Sequence, residues 1–415
     1  PQLPYPPHQG TTIRNFHLLA GLARRHDIAL LSFADRWQPV DDTPLPDLCI
    51  RLHTIPVPAP RSLPRRLLST LLSPQPDMAL RLPSRQFQAR LEQWLREESF
   101  DVIQVEGIEM GPYALALRKR RLLSNQTALV FDDHNAEYVL QRRAFLTDVQ
   151  QPGRWPAAGY SLIQWLKLRR YERQLCQAAD RVVAVSETDA QALRRLVPGL
   201  RPAVVPNGVD IDFFRPDRAG SDSAQTANLV FTGKMDFRPN VDAMLWFCDE
   251  ILPRIRASRS DVSLAIVGRE PHVRVQGLAR QPNVTVTGYV DDIRPYVAGA
   301  QVYIVPLRMG GGTRLKVLEA MAMGKAIVST TLGAEGIAGM AGEHLVLADR
   351  ADDFAAAVLS LLADPDRCAT LGARARSLVE REYAWEAIIP RMDEVYTAIK
   401  NNGSLGWADS QAPNP

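Results

Sequence analysis

The chain of 415 residues lacks the features that mark several common classes of protein. Its few cysteines are far apart, which excludes a disulfide framework and the paired spacing of a zinc site. These cysteines are Cys49, Cys176, Cys248 and Cys368. No apolar run approaches the roughly 18 residues of a membrane-spanning helix. The composition indicates a globular protein of a reducing compartment, and we predict a cytoplasmic location.

Charge is nearly balanced over the whole chain but not along it. The formal net charge at pH 7 is +3. Residues 1–200 contain 26 Lys and Arg against 20 Asp and Glu, whereas the remainder contains 23 against 26. A basic half suits nucleic acid, anionic lipid or an acidic substrate. Because aromatic side chains are not interleaved with the arginines, we predict no nucleic-acid partner.

Adjacent acidic residues do not indicate a metal site. Pairs of aspartates occur at 41–42, 132–133, 291–292 and 352–353. Neighbouring side chains of a strand point to opposite faces, so such a pair does not hold one ion jointly. We therefore predict no essential metal and no other cofactor.

Short apolar segments alternate with amphipathic ones along the chain. The strand-like segments of the second half are NLVFTG, VSLAIVG, NVTVTGYV, QVYIVPL and KAIVST. Those of the first half are DIALLSF, FDVIQVEG, TALVFDDH and DRVVAVSE. Apolar strands alternating with helices predict parallel sheets covered on both faces. The fold class is therefore α/β, with two Rossmann-like, doubly wound domains.

The boundaries of these domains follow from the same pattern. We predict an N-terminal domain over 1–206, a C-terminal domain over 207–385, a helix over 386–400 that crosses back to the first domain, and a disordered tail over 401–415. The segment PYPPHQG looks like the loop that follows the first strand of a doubly wound domain. We expect that strand to precede Pro1, as a central strand of the sheet.

The segment PLRMGGGTRLKVLEAMAMG, residues 306–324, has the pattern of an anion site. Glycines expose the backbone, and free N–H groups at a helix start attract negative charge. Arg314 and Lys316 add cations, and Glu319, one turn on, suits the vicinal hydroxyls of a ribose. A tight turn with solvated charges is the alternative. It is weakened because apolar helix residues surround Glu319, where an unpaired carboxylate is costly.

These motifs resemble those of the family 4 retaining glycosyltransferases, which have the GT-B fold of two domains facing across a cleft. VVPNGVDIDFF matches the crossover between domains, and FTGKMDFRPNVDA matches the loop that holds the donor diphosphate. VTGYVDDIRPYVAGAQVYIVPL matches the base-binding region, and PPHQGTTIRNFHLLAGLARRH matches the N-terminal glycine loop and helix. Their order covers nearly the whole chain. The segment GGGTRLKVLEA is similar to that of a subgroup associated with bacterial cell-surface sugars.

The resemblance implies a hexosyltransferase that takes a sugar from a nucleotide-diphosphate donor without a metal. The catalytic residues would be His134, Lys234, Arg314 and Lys316. The donor-binding residues would be Gly10, Gly233, Arg238, Gly268, Tyr289, Val290, Gly310, Gly311, Gly312, Thr313, Leu315 and Glu319. Weaker acceptor-side candidates are Glu106, Asn135 and Glu137, and a solvated loop carboxylate is an equal alternative for Glu106.

Two departures from the family pattern leave the sugar and the nucleotide base open. Gly311 stands where the family commonly has a first glutamate, and Lys234 stands where its diphosphate loop has an arginine. A non-catalytic nucleotide-sugar-binding protein on the same fold is therefore an alternative to the enzyme.

The segment from Pro56 to Pro83 is rich in proline, arginine and leucine, and we interpret it as a long loop or a helical insertion. Leucines one turn apart beside arginines are typical of a helix that lies on anionic lipid. In that case the acceptor is a lipid-linked glycan and the enzyme is peripheral on the inner face of a membrane. The alternative is a loop that packs its leucines onto its own domain.

Overall fold

The computed structural model describes residues 1–402 except Arg36, Pro39 and 217–226. The chain forms two compact units. The first comprises Pro1–Pro206 together with the chain from Ile388 onward, and the second comprises Asn207–Ala387. Of the tail predicted to be disordered, residues 401 and 402 end the last helix, and the rest lies outside the described residues.

Amphipathic segments form α-helices in both units. Those of the first unit are α1 Gly10–Leu22, α2 Leu45–Leu48, α3 Leu63–Leu72, α4 Arg85–Glu97, α5 Gly111–Lys119, α6 Glu137–Val149, α7 Trp155–Ala178 and α8 Glu187–Leu196. Those of the second unit are α9 Arg238–Trp246, α10 Leu252–Ser258, α11 Val273–Gly277, α12 Arg294–Gly299, α13 Leu315–Ala322, α14 Ala351–Leu362 and α15 Pro365–Glu382. The last helix, α16 Trp385–Asn402, begins in the second unit and continues in the first.

The strands follow the predicted apolar segments. In the first unit they are β1 Ala29–Ala34, β2 Arg51–Pro56, β3 Val102–Glu106, β4 Ala128–Asp133, β5 Arg181–Ala184 and β6 Ala203–Val204. In the second unit they are β7 Leu229–Thr232, β8 Leu264–Val267, β9 Val284–Val286, β10 Val302–Val305, β11 Ala326–Ser329 and β12 Val346–Leu347. The predicted parallel sheets are confirmed, since every strand pair recorded in the described chain is parallel.

The second unit has one six-stranded sheet in the order β12-β11-β10-β7-β8-β9. Strands β7, β8, β10 and β11 are buried along their whole length. Helices on both faces of a sheet leave no solvent side, so the strands are continuously apolar rather than alternating. The helical segment after β7 is longer than α9 alone, because a π-helical turn at Phe247–Ile251 joins α9 to α10.

The first unit differs from a single doubly wound sheet. Its strands form a four-stranded sheet, β3-β4-β5-β6, and a separate pair, β1-β2. Residues of both sheets line a cavity of about 960 Å³, among them residues 28–32 and 100–106. The edges of β1 and β3 thus lack a common neighbour strand in the described chain.

The segment between Pro56 and Pro83 contains helix α3, flanked by irregular chain. Pro64 occupies the first turn of α3, where a proline nitrogen needs no hydrogen-bond acceptor. A single 3₁₀ turn at Met78–Leu80 follows. Proline therefore breaks this segment only outside the helix.

Candidate functional site

The order of strands in the second unit predicts where a ligand binds. The chain runs from β7 to β8 and β9 on one side, and then returns to β10 on the other side of β7. Loops leaving the carboxyl ends of β7 and β10 therefore diverge, which leaves a crevice at this switch point. The loop after β7 begins at Gly233, and the glycine-rich segment follows β10. Both predicted donor-binding segments meet here.

Two glycines allow these loops to approach each other. Gly233 and Gly268, which follow β7 and β8, have φ angles of +148° and +151°. A Cβ on Gly268 would lie 1.7 Å from the carbonyl oxygen of Gly233. A Cβ on Gly233 would lie 2.7 Å from Lys316 Nζ. Any larger residue at either position would displace the loop or the lysine, so only glycine fits.

Lys316 connects the two loops. Its Nζ donates a hydrogen bond to Asn240 Oδ1 at 2.9 Å, and Asn240 Nδ2 donates to the carbonyl oxygen of Lys234 at 2.8 Å. The ammonium also lies 4.0 Å from the centroid of the Phe231 ring. Burial, and then the charge of Arg314, lower the pKa of Lys316 to about 7. An anionic ligand would restore the ordinary pKa, so this lysine is suited to a phosphate.

Glu319 lies one turn further along α13 and is partly buried. Burial raises its pKa to about 7, against the opposing effect of Lys316. Among the residues that the structure describes, none donates a hydrogen bond to this carboxylate. A desolvated acceptor without a donor is costly unless a ligand supplies one. The position therefore favours a ligand with hydroxyl groups.

The start of α13 adds positive charge to the same place. Arg314 is the residue before the helix and is buried, with 9% of its surface exposed. Gly310 and Gly312 adopt left-handed conformations, with φ of +98° and +79°. A Cβ on Gly310 would lie 3.1 Å from Arg314 Nη2. No residue that the structure describes forms a hydrogen bond with the buried hydroxyl of Thr313, so a ligand oxygen could accept from it.

The first unit has its own cluster of polar groups at the carboxyl ends of β3 and β4. His134 Nε2 lies 2.9 Å from Glu106 Oε2, within hydrogen-bond distance. Burial is the largest single effect and raises the pKa of Glu106, but the hydrogen bond and charge of His134, the hydrogen bond of Gln104 and the charge of Arg14 together lower it. Gly107, with φ of +76°, leaves space beside the ring, because a Cβ there would lie 3.5 Å from His134 Nδ1. The structure thus brings two separately predicted residues together.

One group of side chains in the described residues has donor atoms close enough for a metal: Glu106, Asp132 and His134. Arg14 already donates hydrogen bonds to the carboxylate oxygens of Asp132 that such an ion would need. Its Nε and Nη2 donate to the two oxygens of Asp132 at 2.9 and 3.0 Å, and both side chains are fully buried. A cation beside this guanidinium would be repelled, so the group does not fit a metal ion.

Comparison with known proteins agrees with this architecture. Residues 9–213 match the family model described as Glycosyltransferase Family 4, and residues 226–364 match that of Glycosyl transferases group 1. The chain belongs to the GT-B glycosyltransferases of family 4.

Two curated relatives of this glycosyltransferase are mannosyltransferases. Phosphatidyl-myo-inositol mannosyltransferase of Mycolicibacterium smegmatis is 32% identical over 211 residues, 48% of this chain and 52% of that protein. A GDP-mannose-dependent monoacylated alpha-(1-6)-phosphatidylinositol monomannoside mannosyltransferase of Corynebacterium glutamicum is 26% identical over 258 residues, 56% of this chain and 67% of that protein. The matches span from about half to two thirds of these relatives.

Two solved structures share the fold of this glycosyltransferase. Sucrose-phosphate synthase from Thermosynechococcus elongatus superposes with a TM-score of 0.70 at 21% identity, covering 95% of this chain and 94% of that one. HepE of Anabaena in complex with UDP gives 0.63 at 15% identity, covering 96% and 98%. At such identities the likeness concerns the fold alone.

The other predicted donor-binding residues of the glycosyltransferase are more exposed or make fewer contacts with one another than Lys316, Arg314 and Gly233 do. The exposed ammonium of Lys234 lies 3.1 Å from Asp236 and 2.8 Å from Glu270, so a diphosphate would have to displace weak surface ion pairs. Arg238 is exposed at the first residue of α9. Tyr289 is 72% exposed after β9, as a ring that stacks on a base requires. Val290 and Leu315 pack against the core, and Gly311 lies between the two left-handed glycines.

The acceptor-side candidates lie on the loop that leads into α6. Asn135 Nδ2 donates to Glu137 Oε1 at 3.2 Å, and burial raises the pKa of Glu137 to about 7. Glu172, fully buried on α7, accepts the backbone N–H groups of Glu137 and Tyr138 at 2.9 and 3.1 Å. Glu172 therefore fixes the start of α6 and with it the loop that carries His134. Gly10 is exposed at the first residue of α1.

Several residues of these clusters escaped the sequence analysis. Asn240 and Phe231 hold Lys316, and Arg14 holds Asp132. All three lie within segments that resemble the family, but none is among the predicted site residues, because the partner of each is distant in the chain. An Asp-x-Asp pair at 210 and 212 was also passed over. Asp210 Oδ1 accepts the backbone N–H groups of Asp212 and Phe213 at 3.0 and 2.8 Å, which is the geometry of a turn.

Proposed function

We propose that the protein transfers a hexosyl group from a nucleotide-diphosphate sugar, with retention of anomeric configuration, to a lipid-linked or polysaccharide acceptor of a bacterial cell surface. The observation that carries the proposal is the pair of Lys316 and Glu319 at the switch point of the second sheet. Each has a pKa of about 7 in the free protein, and Glu319 has no hydrogen-bond donor among the described residues. A ribose joined to a diphosphate supplies hydroxyl donors to Glu319 and an anion to Lys316.

In this proposal Glu319 accepts hydrogen bonds from the two ribose hydroxyls, and Lys316 contacts the diphosphate. Arg314 and the free N–H groups at the start of α13 add to the positive field. Lys234 joins them after leaving its surface ion pairs. The exposed ring of Tyr289 and the backbone at Val290 receive the base. The charges and exposures of these side chains in the second unit support these roles.

The reaction breaks the bond between sugar C1 and the diphosphate oxygen. It forms a bond from C1 to the acceptor oxygen on the same face of the sugar, and the hydroxyl proton passes to the departing phosphate. Negative charge grows on that phosphate in the transition state. Fixed cations and a helix start stabilise such charge without reorganising, so we propose that no metal is essential.

We propose that the first unit serves the acceptor. His134 and Glu106 form a hydrogen-bonded pair at a strand end, where a hydroxyl group can be oriented. Asn135 and Glu137 follow on the same loop, which Glu172 holds in place. The named relatives act on phosphatidylinositol derivatives, which supports a lipid-linked acceptor, and the isolated cysteines support a cytoplasmic location.

A screen of nucleotide sugars tests the donor side. We expect at least one of the UDP-, GDP- and ADP-sugars to raise the melting temperature of the protein. The Glu319→Ala variant should lose most of that shift, and Glu250→Ala, an exposed glutamate in the π-helical turn, should keep it. Stabilisation of both variants to the same extent as the native chain would refute the site.

A non-catalytic nucleotide-sugar-binding protein is the second candidate, because Gly311 stands where the family pattern has a glutamate that touches the donor sugar. The two candidates differ in turnover. Release of nucleoside diphosphate from the donor that stabilises the protein, in the presence of membrane lipid extract, supports the enzyme. Binding without any release supports the alternative.

A further inference from the structure

Helix α3 of the first unit has its apolar face outside and its polar face inside. Its five leucines are between 56% and 74% exposed: Leu63, Leu67, Leu68, Leu71 and Leu72. Its one buried residue is Thr70, at 6%. A helix that merely packs on its own domain would show the opposite arrangement. The alternative that these leucines pack onto their own domain is therefore wrong.

Polar contacts with α7 hold α3 in this orientation. Lys167 Nζ donates to the carbonyl oxygens of Ser69 and Thr70 at 3.3 and 2.6 Å, at the last turn of α3. Gln164, which is buried, donates to the hydroxyl of Thr70 at 3.4 Å and accepts the backbone N–H of Asp77 at 2.8 Å. Rotation of α3 to bury its leucines would break the buried hydrogen bond between Gln164 and Thr70, so the outward apolar face is built into the fold.

The charge around the leucines is strongly positive. Residues 61–90 contain six arginines and a single acidic residue, Asp77. Asp77 is itself buried and lies 2.6 Å from Arg61 and 3.4 Å from Arg66. Arg65 is exposed, and helical spacing places it beside Leu68 and Leu72. An apolar stripe bordered by cations suits a surface that is apolar within and anionic at its rim.

We propose that α3 docks on an anionic lipid bilayer, with its leucines among the acyl chains and Arg65 at the headgroup phosphates. No helix of the described residues is long and apolar enough to cross a bilayer, so the contact proposed is interfacial. Membrane docking itself does not depend on the proposed function. Its consequence, that the acceptor reaches the enzyme from the membrane, rests on that function.

A second copy of the chain is a poorer occupant of this face. In a two-fold interface the same patch meets itself, so the arginines bordering one helix would meet those bordering the other. Such like charges oppose association, whereas lipid phosphates neutralise them. A ten-residue helix also offers a small patch compared with the roughly 800 Å² per partner of a stable interface.

Vesicle co-sedimentation of the whole chain tests the proposal. We expect binding to vesicles of phosphatidylcholine with phosphatidylglycerol, and much weaker binding to phosphatidylcholine alone or at high salt. Changing Leu68 and Leu71 to Gln should lower the partition coefficient about tenfold per leucine. Leu166→Gln, which alters a 54% exposed leucine on α7, is the matched control and should bind as the native chain does.

The charge and the depth of insertion are measured separately. Arg65→Gln should remove part of the salt-sensitive binding, and Arg65 is the arginine to change because Arg61 and Arg66 hold Asp77. Leu71→Trp should shift its fluorescence to shorter wavelength on anionic vesicles, compared with native protein, and Leu166→Trp should not. These readouts do not require activity.

Several results would overturn the inference. The first is absence of binding to anionic vesicles at low salt. The second is a loss of binding in Leu166→Gln equal to that in the Leu68 and Leu71 variants. The third is a dimer, detected by light scattering, that Leu71→Gln dissociates, in a protein that does not bind lipid.

Thermal stabilisation by nucleotide sugars is measured on the same variants. Vesicle binding without nucleotide-sugar binding would refute the proposed function and leave the membrane surface intact. Nucleotide-sugar binding without vesicle binding would do the reverse.

Discussion

Replacement of Glu319 by alanine separates recognition of the ribose from recognition of the diphosphate. No described residue donates a hydrogen bond to its carboxylate, so both oxygens can accept from the vicinal hydroxyls. A hydrogen bond to a charged group contributes about 1.5–3 kcal/mol net. Because the pKa of Glu319 is about 7, only about half of the carboxylates are ionised at neutral pH, which reduces the gain slightly. The loss of at least one such bond predicts a decrease of about 1.5–3 kcal/mol in the binding free energy.

That loss corresponds to a decrease of about 10-fold to about 150-fold in affinity. Isothermal titration calorimetry with a nucleoside diphosphate measures it, with the 2′,3′-dideoxy analogue and inorganic pyrophosphate as matched ligands. Glu319→Ala should weaken binding of the nucleoside diphosphate and leave the other two ligands unaffected. Lys316→Met should weaken all three, because each contains the diphosphate.

The stability of the Glu319→Ala variant completes the test. An unpaired, partly buried carboxylate is costly in the free protein, so its removal should leave the melting temperature unchanged or raise it. Wild-type affinity for the nucleoside diphosphate in Glu319→Ala would refute the ribose assignment. Equal loss of affinity for pyrophosphate would show that Glu319 acts by holding Lys316 and not by binding ribose.

Three further predictions concern the second unit. Donor affinity should be greatest near pH 7, because Glu319 gains a proton below its pKa of about 7 and Lys316 loses a proton above its pKa of about 7. Calorimetric titrations from about pH 6 to about pH 8, on the order of one unit either side of those values, measure this, and the same affinity throughout would contradict it. Sugar transfer should persist in excess chelator, and loss that Mg²⁺ or Mn²⁺ reverses would show a required metal. Gly268→Ala should lower the melting temperature and abolish donor binding, because its Cβ would lie 1.7 Å from the Gly233 oxygen. A Cβ on Gly277 meets no atom within 4 Å, so Gly277→Ala should keep both the melting temperature and donor binding of the native chain.

The residues of the glycine-rich segment could be predicted from the sequence because their properties are local. A strand, three glycines and a helix start are adjacent in the chain, so Arg314, Lys316 and Glu319 must lie within about two turns of one another. The parallel sheets could be predicted for a similar reason. Strands buried on both faces must be continuously apolar, and that pattern is visible without knowing which strands pair.

Contacts between distant segments required the tertiary structure. Lys316 meets Asn240 across 76 residues, and Arg14 meets Asp132 across 118. Neither Asn240 nor Arg14 stands out within its segment of the sequence, because a buried hydrogen bond needs only one suitable atom at the right place. The separation of the first unit into two sheets has the same origin, since strand order depends on which edges meet.

The orientation of α3 is the feature for which the pattern in the sequence and the contacts in the tertiary structure contribute most distinctly. The sequence alone determined that residues 63–72 have leucines on one side and polar residues on the other. It left open which side faces the domain, because an amphipathic pattern has no inside or outside until a neighbour is present. Gln164, 94 residues away from Thr70, and Lys167 decided it. The amide of Gln164 is buried and requires a hydrogen-bonding partner that a leucine side chain cannot provide, so the polar face turned inward and the leucines turned to solvent.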